Sequence, residues 1–204
     1  MNGLTIYNCA QNSPEWAEAR RGIPTASRFA DILSKGEGKT RRKYLFTLAG
    51  EVMTGEPAES FTNGHMERGH AMEDEVRRMY AFMHNADPVL VGFMRRDRVG
   101  ASPDSLVGDN VLLEIKTKLP HLQLDVLEKK KLPPEHVAQV QGQLWVSGRE
   151  FCDFVSYWPK MPLFHVRVLR DEIYIERLAE EVADFIGELD SLVAKYSGGV
   201  PCGT

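Results

Sequence analysis

The sequence predicts an α/β (α+β) domain, a mixed central β-sheet flanked by helices. Amphipathic stretches at helical spacing alternate with short aliphatic runs at strand spacing. Their order is helices, then three or four strands, a helix region, two more strands and a closing helix, which is the pattern of helices packed on a sheet. The chain has 204 residues, 43% of them hydrophobic, enough for one sizeable core. No repeat, low-complexity tract or linker divides it, so a single domain over residues 1–204 is expected.

Pro14 opens a helix over about 14–20, and the capping-type Thr25-Ala26-Ser27 opens a second over about 26–34, where ASRFADIL has helical apolar spacing. GEGKTRRK (36–43) reads as a flexible basic loop. A helix follows through YLFTLAGEVMTG and stops at Gly55, a residue free to take the left-handed conformation that ends helices. From about 65 to 85 a long amphipathic helix is expected. Pro88 then opens a strand-like run, VLVGFMRR, and a second short strand covers about 98–102. ASPDSLVGDN (101–110) begins as loop, rich in turn residues, and VLLEIK (111–116) is the next strand. Helices are expected around 120–130 and 134–147, the latter started by Pro133-Pro134. FCDFVSYW and LFHVRVL form a hairpin across Pro159–Pro162, and a last helix runs from Asp171 to about Lys195.

No apolar run reaches the roughly 18–20 residues that span a bilayer, and the first residues lack a basic region followed by an apolar core, so no membrane and no secretion signal are expected. Three scattered cysteines, Cys9, Cys152 and Cys202, form no zinc or disulfide pattern, and a reducing cytoplasm is the expected compartment. Net charge is −4, but its distribution is uneven. Residues 1–50 hold eight Lys/Arg against four Asp/Glu, and residues 171–198 hold eight Asp/Glu against two Lys/Arg. One basic and one acidic end suit a protein that presents one side to a polyanion; two solvated helix faces would read the same way.

The segment ASPDSLVGDNVLLEIKTK (101–118) carries the chemistry. Residues two apart on a strand share a face, so Glu114 and Lys116 project together. Asp104, ten residues before Glu114 on a Ser-Pro-Asp turn, can fold back beside it. Converging carboxylates repel unless a cation lies between them, and oxygen-only ligation favours Mg²⁺ or Mn²⁺. Lys116 would then reach the attacking water. On this segment alone, a surface turn with an edge-strand ion pair remains the alternative. Elsewhere, spacing decides less. Glu73 reads as a helix-surface glutamate beside Asp74 and Glu75. Gln139 and Gln143 share one helix face. Arg20 offers a fork for phosphate, and Ser27 lies at a helix start where free N–H groups attract anions, though Ser27 or Thr25 as plain caps need no ligand. Arg28 and the basic GEGKTRRK segment are candidates for contacts to a polyanion, or a plain solvated charge run.

Asp, a gap, then Glu-x-Lys is the pattern of the PD-(D/E)xK nuclease superfamily, and most of the chain resembles the lambda-type phage exonucleases (YqaJ-like viral recombinases). The matching pieces, in order, are W-x-x-x-R ending at Arg20, GIPTAS (22–27), GHAMED around Glu73, ASPDSL around Asp104, LEIK (113–116) and HVAQVQGQLWV (136–146). The resemblance implies a restriction-endonuclease-like nuclease core. It also implies a 5′→3′ exonuclease that trims duplex DNA from an end to 5′-mononucleotides and leaves a 3′ single strand for recombination. It makes Asp104, Glu114 and the Ile115 carbonyl ligands of two Mg²⁺ ions, with Mn²⁺ a possible substitute, and Lys116 the catalytic lysine. Glu73 and Gln139 complete the site, Arg20 and Ser27 hold the 5′-phosphate, and Met66 splits the terminal base pair. Arg28, Lys39, Arg41 and Arg42 would follow the duplex. A ring-shaped homotrimer, a single-strand annealing partner and a phage or prophage origin in a bacterial cytoplasm are implied as well. The alternatives are a structure-selective endonuclease with the same motif or a catalytically silent DNA-end-binding module. An iron–sulfur relative would need four cysteine ligands, and the sequence has three cysteines.

Overall fold

The computed structural model describes residues 3–34, 39–58 and 64–197, with 64–71 as backbone only. Its strands are β1 (Leu4–Tyr7), β2 (Pro88–Val89), β3 (Phe93–Arg96), β4 (Val99–Ala101), β5 (Ser105–Val107), β6 (Val111–Thr117), β7 (Phe151–Tyr157) and β8 (Phe164–Leu169). Its helices are α1 (Pro14–Arg20), α2 (Phe29–Ile32), α3 (Lys39–Thr54), α4 (Gly64–His84), α5 (Pro120–Lys129), α6 (Val137–Ser147) and α7 (Glu172–Ser197).

The fold is built around β6. Leu112, Leu113, Glu114 and Ile115 are all buried, because a near-continuous aliphatic run needs cover on both faces. The strand is the middle one of a five-stranded sheet, order β2-β5-β6-β7-β8, mixed because β6 and β7 run parallel while the other pairs are antiparallel. Leu113 and Ile115 pack on Met72, Val76 and Tyr80, the i, i+4, i+8 stripe of α4. Leu112 packs on the opposite face against Val126 of α5 and Val140 and Leu144 of α6. A third cluster seats α7, through Leu178, Val182, Phe185 and Leu189, on Tyr44, Leu45 and Leu48 of α3. Among the described residues no helix is long and apolar enough to cross a membrane. Cys9 and Cys152 are free thiols, and Cys202 lies outside the described residues.

The structure corrects the expected elements in four places. A second sheet of three antiparallel strands, order β1-β3-β4, lies beside the mixed one, and its first strand, LTIY, is too short to stand out by periodicity. The run VLVGFMRR is two strands in different sheets. The chain breaks at Leu90–Gly92, where a Cβ on Gly92 would stand 2.3 Å from the Cys9 carbonyl oxygen and 2.7 Å from that of Tyr7. Finally, the expected basic loop ends early. Residues 35–38 are outside the described residues, and Lys39, Arg41 and Arg42 sit on α3, which extends the helix expected from Tyr44 by more than a turn. The expected helix over 26–34 is a 3₁₀ turn, Ala26–Arg28, followed by the single turn α2.

Candidate active site

Asp104 meets Glu114 through a short hairpin. β5 pairs with β6 from Val107 opposite Val111 to Ser105 opposite Leu113, with Gly108 at φ +52° in the turn. Beyond Leu113 that edge of β6 has no strand beside it, and Asp104 fills the gap. Its backbone N–H donates to the Leu113 carbonyl at 3.1 Å, and its carboxylate accepts the Ile115 N–H at 2.5 Å. In an extended strand the N–H and C=O of one residue point to the same edge, so the Ile115 carbonyl turns toward Asp104. Gln11 braces this corner by donating to the carbonyls of Val91 and Pro103, each at 3.0 Å.

Glu114 projects from the α6 face of the sheet and is 1% exposed. Its Oε1 accepts from Gln139 Nε2 and faces Lys116 Nζ, both at 2.6 Å, and its Oε2 accepts from Gln143 Nε2 at 2.6 Å. Burial first, and Glu114 second, push the Asp104 carboxyl well above the usual carboxylate range; Lys116 opposes this and Glu73 adds to it. Burial alone would lower the Lys116 ammonium, but Glu114 and Asp104 outweigh it and hold it above its ordinary value, so Lys116 is a cation. Two carboxylates therefore share one ammonium, and the set lacks positive charge. Among the described residues no group of three or more His, Cys, Asp or Glu is arranged to hold a metal ion. Two carboxylates with a main-chain carbonyl nevertheless form an all-oxygen donor set that suits a hard divalent cation, and its charge deficit is one such a cation relieves.

Glu73 stands on α4 across a cavity of about 420 Å³ from Asp104, with Gln11, Asn12, Arg77 and Leu90 among its walls. Arg77 Nε donates to Ser105 Oγ at 2.9 Å, tying α4 to the residue after Asp104. Near Lys116, His136 packs on Phe154, and burial followed by the charges of Lys118 and Lys116 lowers it to about 4, so it is neutral.

Arg20 forms a second site. Its guanidinium lies over the Trp16 ring, 3.9 Å from the centroid, and its Nη2 donates to Thr25 Oγ1 at 3.5 Å. Ser27 is exposed, its hydroxyl 3.4 Å from that of Thr25. Arg20, Thr25, Arg28 and Tyr44 line a cavity of about 240 Å³. Burial lowers Arg20 from its ordinary value even though Tyr44 and Glu51 favour its charge, and Arg28 adds to the lowering. Glu51 lines the same cavity. Trp16 Nε1 donates to Ser102 Oγ at 2.9 Å, so the cavity joins the chain two residues before Asp104.

The structure thus brings Asp104, Glu114, Ile115, Lys116 and Gln139 together, with Glu73 on the same cavity as Asp104. The proposed duplex-contacting residues are more scattered. Arg28 pairs with Asp31 and lies over Tyr44. Arg41 is held by a two-bond fork to Glu188 at 2.7 and 2.8 Å. Arg42 lies over Phe46, and Lys39 is exposed. Met66 is on α4, with its side chain outside the described residues. Gln143 was marked by its four-residue spacing from Gln139 but was not among the expected site residues. Thr25 makes no side-chain cap hydrogen bond, and its hydroxyl serves the Arg20 cavity instead.

Residues 15–150 match the family described as the YqaJ-like viral recombinase domain. Among solved structures, the chain is similar to an alkaline exonuclease (LHK-Exo) from Laribacter hongkongensis, with 33% identity over 91% of this chain and 96% of that one, at a TM-score of 0.84. The same protein in complex with dAMP gives 34% identity over 90% and 95% of the two chains, also at 0.84. A phage-related exonuclease from Haemophilus somnus 129PT shares the fold at 14% identity, covering 85% of this chain and 96% of that one, with a TM-score of 0.65. Among curated proteins there is no match.

Proposed function

The chain belongs to the YqaJ-like viral recombinase domain family, and from that premise we propose that it is a Mg²⁺-dependent 5′→3′ exonuclease that degrades one strand of linear duplex DNA from its end. The observation that carries the reading is the meeting of Asp104, Glu114 and Lys116 at one point of a buried strand, with one cation shared between two carboxylates. Asp104, Glu114 and the Ile115 carbonyl would hold Mg²⁺, or Mn²⁺ in its place. The bound metal would supply Lewis-acid activation of the phosphodiester and of water.

The chain's own residues do the rest. Lys116, held as an ammonium, donates to and orients the water that attacks phosphorus, and its charge opposes the negative charge that builds there. Gln139 holds the Glu114 oxygen that Lys116 also touches, fixing both. Water adds to phosphorus and gives up a proton to solvent, the bond to the 3′-oxygen breaks, and that oxygen takes a proton from solvent. The products are a 5′-mononucleotide and a new 5′-phosphate on the shortened strand. The half-buried Arg20, with Thr25 and Ser27 nearby in one cavity, suits recognition of that phosphate, which supports the 5′→3′ direction. A ring of three subunits around DNA, a single-strand annealing protein as partner and a role in phage-type recombination belong to the same reading.

Linear 5′-phosphorylated duplex and covalently closed circular duplex, each incubated with Mg²⁺, test it. Acid-soluble mononucleotides from the linear DNA only are expected, with the rate lowered about 10²- to 10³-fold in Lys116→Ala. Cutting of the circle would replace the reading with an endonuclease. Tight end binding without cleavage in Mg²⁺ or Mn²⁺ would replace it with a binding module.

A further inference from the structure

Gln143 is 1% exposed, and in that position it makes one hydrogen bond, from its Nε2 to Glu114 Oε2 at 2.6 Å. Its Oε1 is buried with no partner. An amide left half-satisfied inside a protein needs a reason, since buried polar atoms are nearly always paired. Turning the amide over would give no relief, because its oxygen would then face a carboxylate oxygen. The arrangement is held in one orientation by the charge of Glu114.

α6 carries an internal comparison. Gln141, also buried, donates to the Leu169 carbonyl at 2.9 Å and accepts the Asp171 N–H at 3.0 Å, joining α6 to the start of α7 without touching the carboxylates. Gln141 is a satisfied structural amide. Gln139 and Gln143, one turn apart on the facing side, are both spent on the two oxygens of one glutamate.

We infer that Gln143 is a second positioning residue for Glu114, locking Oε2 while Gln139 and Lys116 hold Oε1. The inference rests on the metal-nuclease reading above. Without Gln143 the carboxylate is free to rotate about its last bond, and the direction in which its oxygens are presented is no longer fixed. Partners standing behind a metal ligand change metal affinity by about 10- to 100-fold when removed.

Calorimetric titration of the DNA-free protein with Mn²⁺ separates the possibilities. Gln143→Met keeps the length of the side chain and removes the donor, and is expected to weaken Mn²⁺ binding about 10- to 100-fold. Gln141→Met is expected to lower the thermal unfolding temperature while leaving Mn²⁺ affinity within about twofold, because it lies outside the contact set. Wild-type affinity in Gln143→Met would overturn the inference and leave the nuclease reading standing, and equal losses in both variants would reduce Gln143 to a packing residue. A wild-type chain that binds neither Mn²⁺ nor Mg²⁺ would overturn the nuclease reading, and this inference with it. Should Gln143→Met fail to fold, the side-chain amide signals of Gln143 in the wild-type chain can be followed by NMR as Mg²⁺ is added. Signals that shift together with the Ile115 backbone amide are expected, and signals that stay fixed while Ile115 shifts would overturn the positioning role.

Discussion

Arg20 is the residue whose environment makes the sharpest demand. It is held on Trp16 and Thr25 in a cavity, where burial lowers it from its ordinary value although Tyr44 and Glu51 favour its charge. If it binds the terminal phosphate, Arg20→Ala should lower kcat/KM on 5′-phosphorylated ends by roughly 10- to 100-fold, the worth of a hydrogen bond to a charged group. Digestion of 5′-hydroxyl ends should change little, and equal slowing of both would remove Arg20 from phosphate recognition. At this scale much of the site was legible, because Glu114 and Lys116 break an aliphatic pattern that burial would otherwise fill with leucine and valine, and Asp104 stands on the turn before it. Gln143 was harder to read. Spacing put it beside Gln139, but a polar helix stripe facing a buried carboxylate looks the same in sequence as one facing water. Trp16 was visible only as part of a motif, since its hydrogen bond to Ser102 crosses 86 residues.

At the scale of elements, α6 is held from two sides. One face reaches Glu114, and Gly142 lies against the turn that carries Thr25 and Ser27. A Cβ there would stand 2.4 Å from the Phe29 ring and 3.2 Å from Ala26 Cβ. Gly142→Ala would ordinarily gain about 1 kcal/mol of helix propensity. Overpacking against Phe29 should reverse this, for a net loss of about 1–3 kcal/mol by denaturant unfolding; a stabilised variant would show that Phe29 yields. The long amphipathic helices, the β7–β8 hairpin and β6 were readable because periodicity and turn residues agree there. The start of α3 was not, since GEGKTRRK has the composition of a loop and its helical half is stabilised by a distant partner, Glu188 on α7. The break in VLVGFMRR depends on Gly92 lying close under residues 7–9, a contact over 80 residues away in sequence.

For the whole molecule, the uneven charge is partly neutralised within the chain. Arg41 pairs with Glu188, and Arg98 pairs with Asp190 through bonds of 2.5 and 2.7 Å, so two arginines already have acidic partners on α7. If the basic N-terminal part follows the duplex, that role would fall more on Lys39 and Arg42 than on Arg41 or on Arg28, which pairs with Asp31. If the proposed ring forms, light scattering coupled to gel filtration should give three times the mass of one chain. A monomer that degrades long duplexes processively would rule the ring out.

The pairing of β1 with β3 has a consequence for synthesis. Leu4 lies opposite Arg96, and Tyr7 opposite Phe93, so the first strand has no partner until more than ninety residues have been made. At about 5–20 residues per second, the amino-terminal segment waits roughly 5–20 s on the ribosome with its edge open. During that wait it carries the basic residues 20–43 while the acidic helix that neutralises Arg41 is still further behind. The basic residues 1–50, with eight Lys/Arg against four Asp/Glu, are thus made well before the acidic stretch 171–198, with eight Asp/Glu against two Lys/Arg, that partly neutralises them.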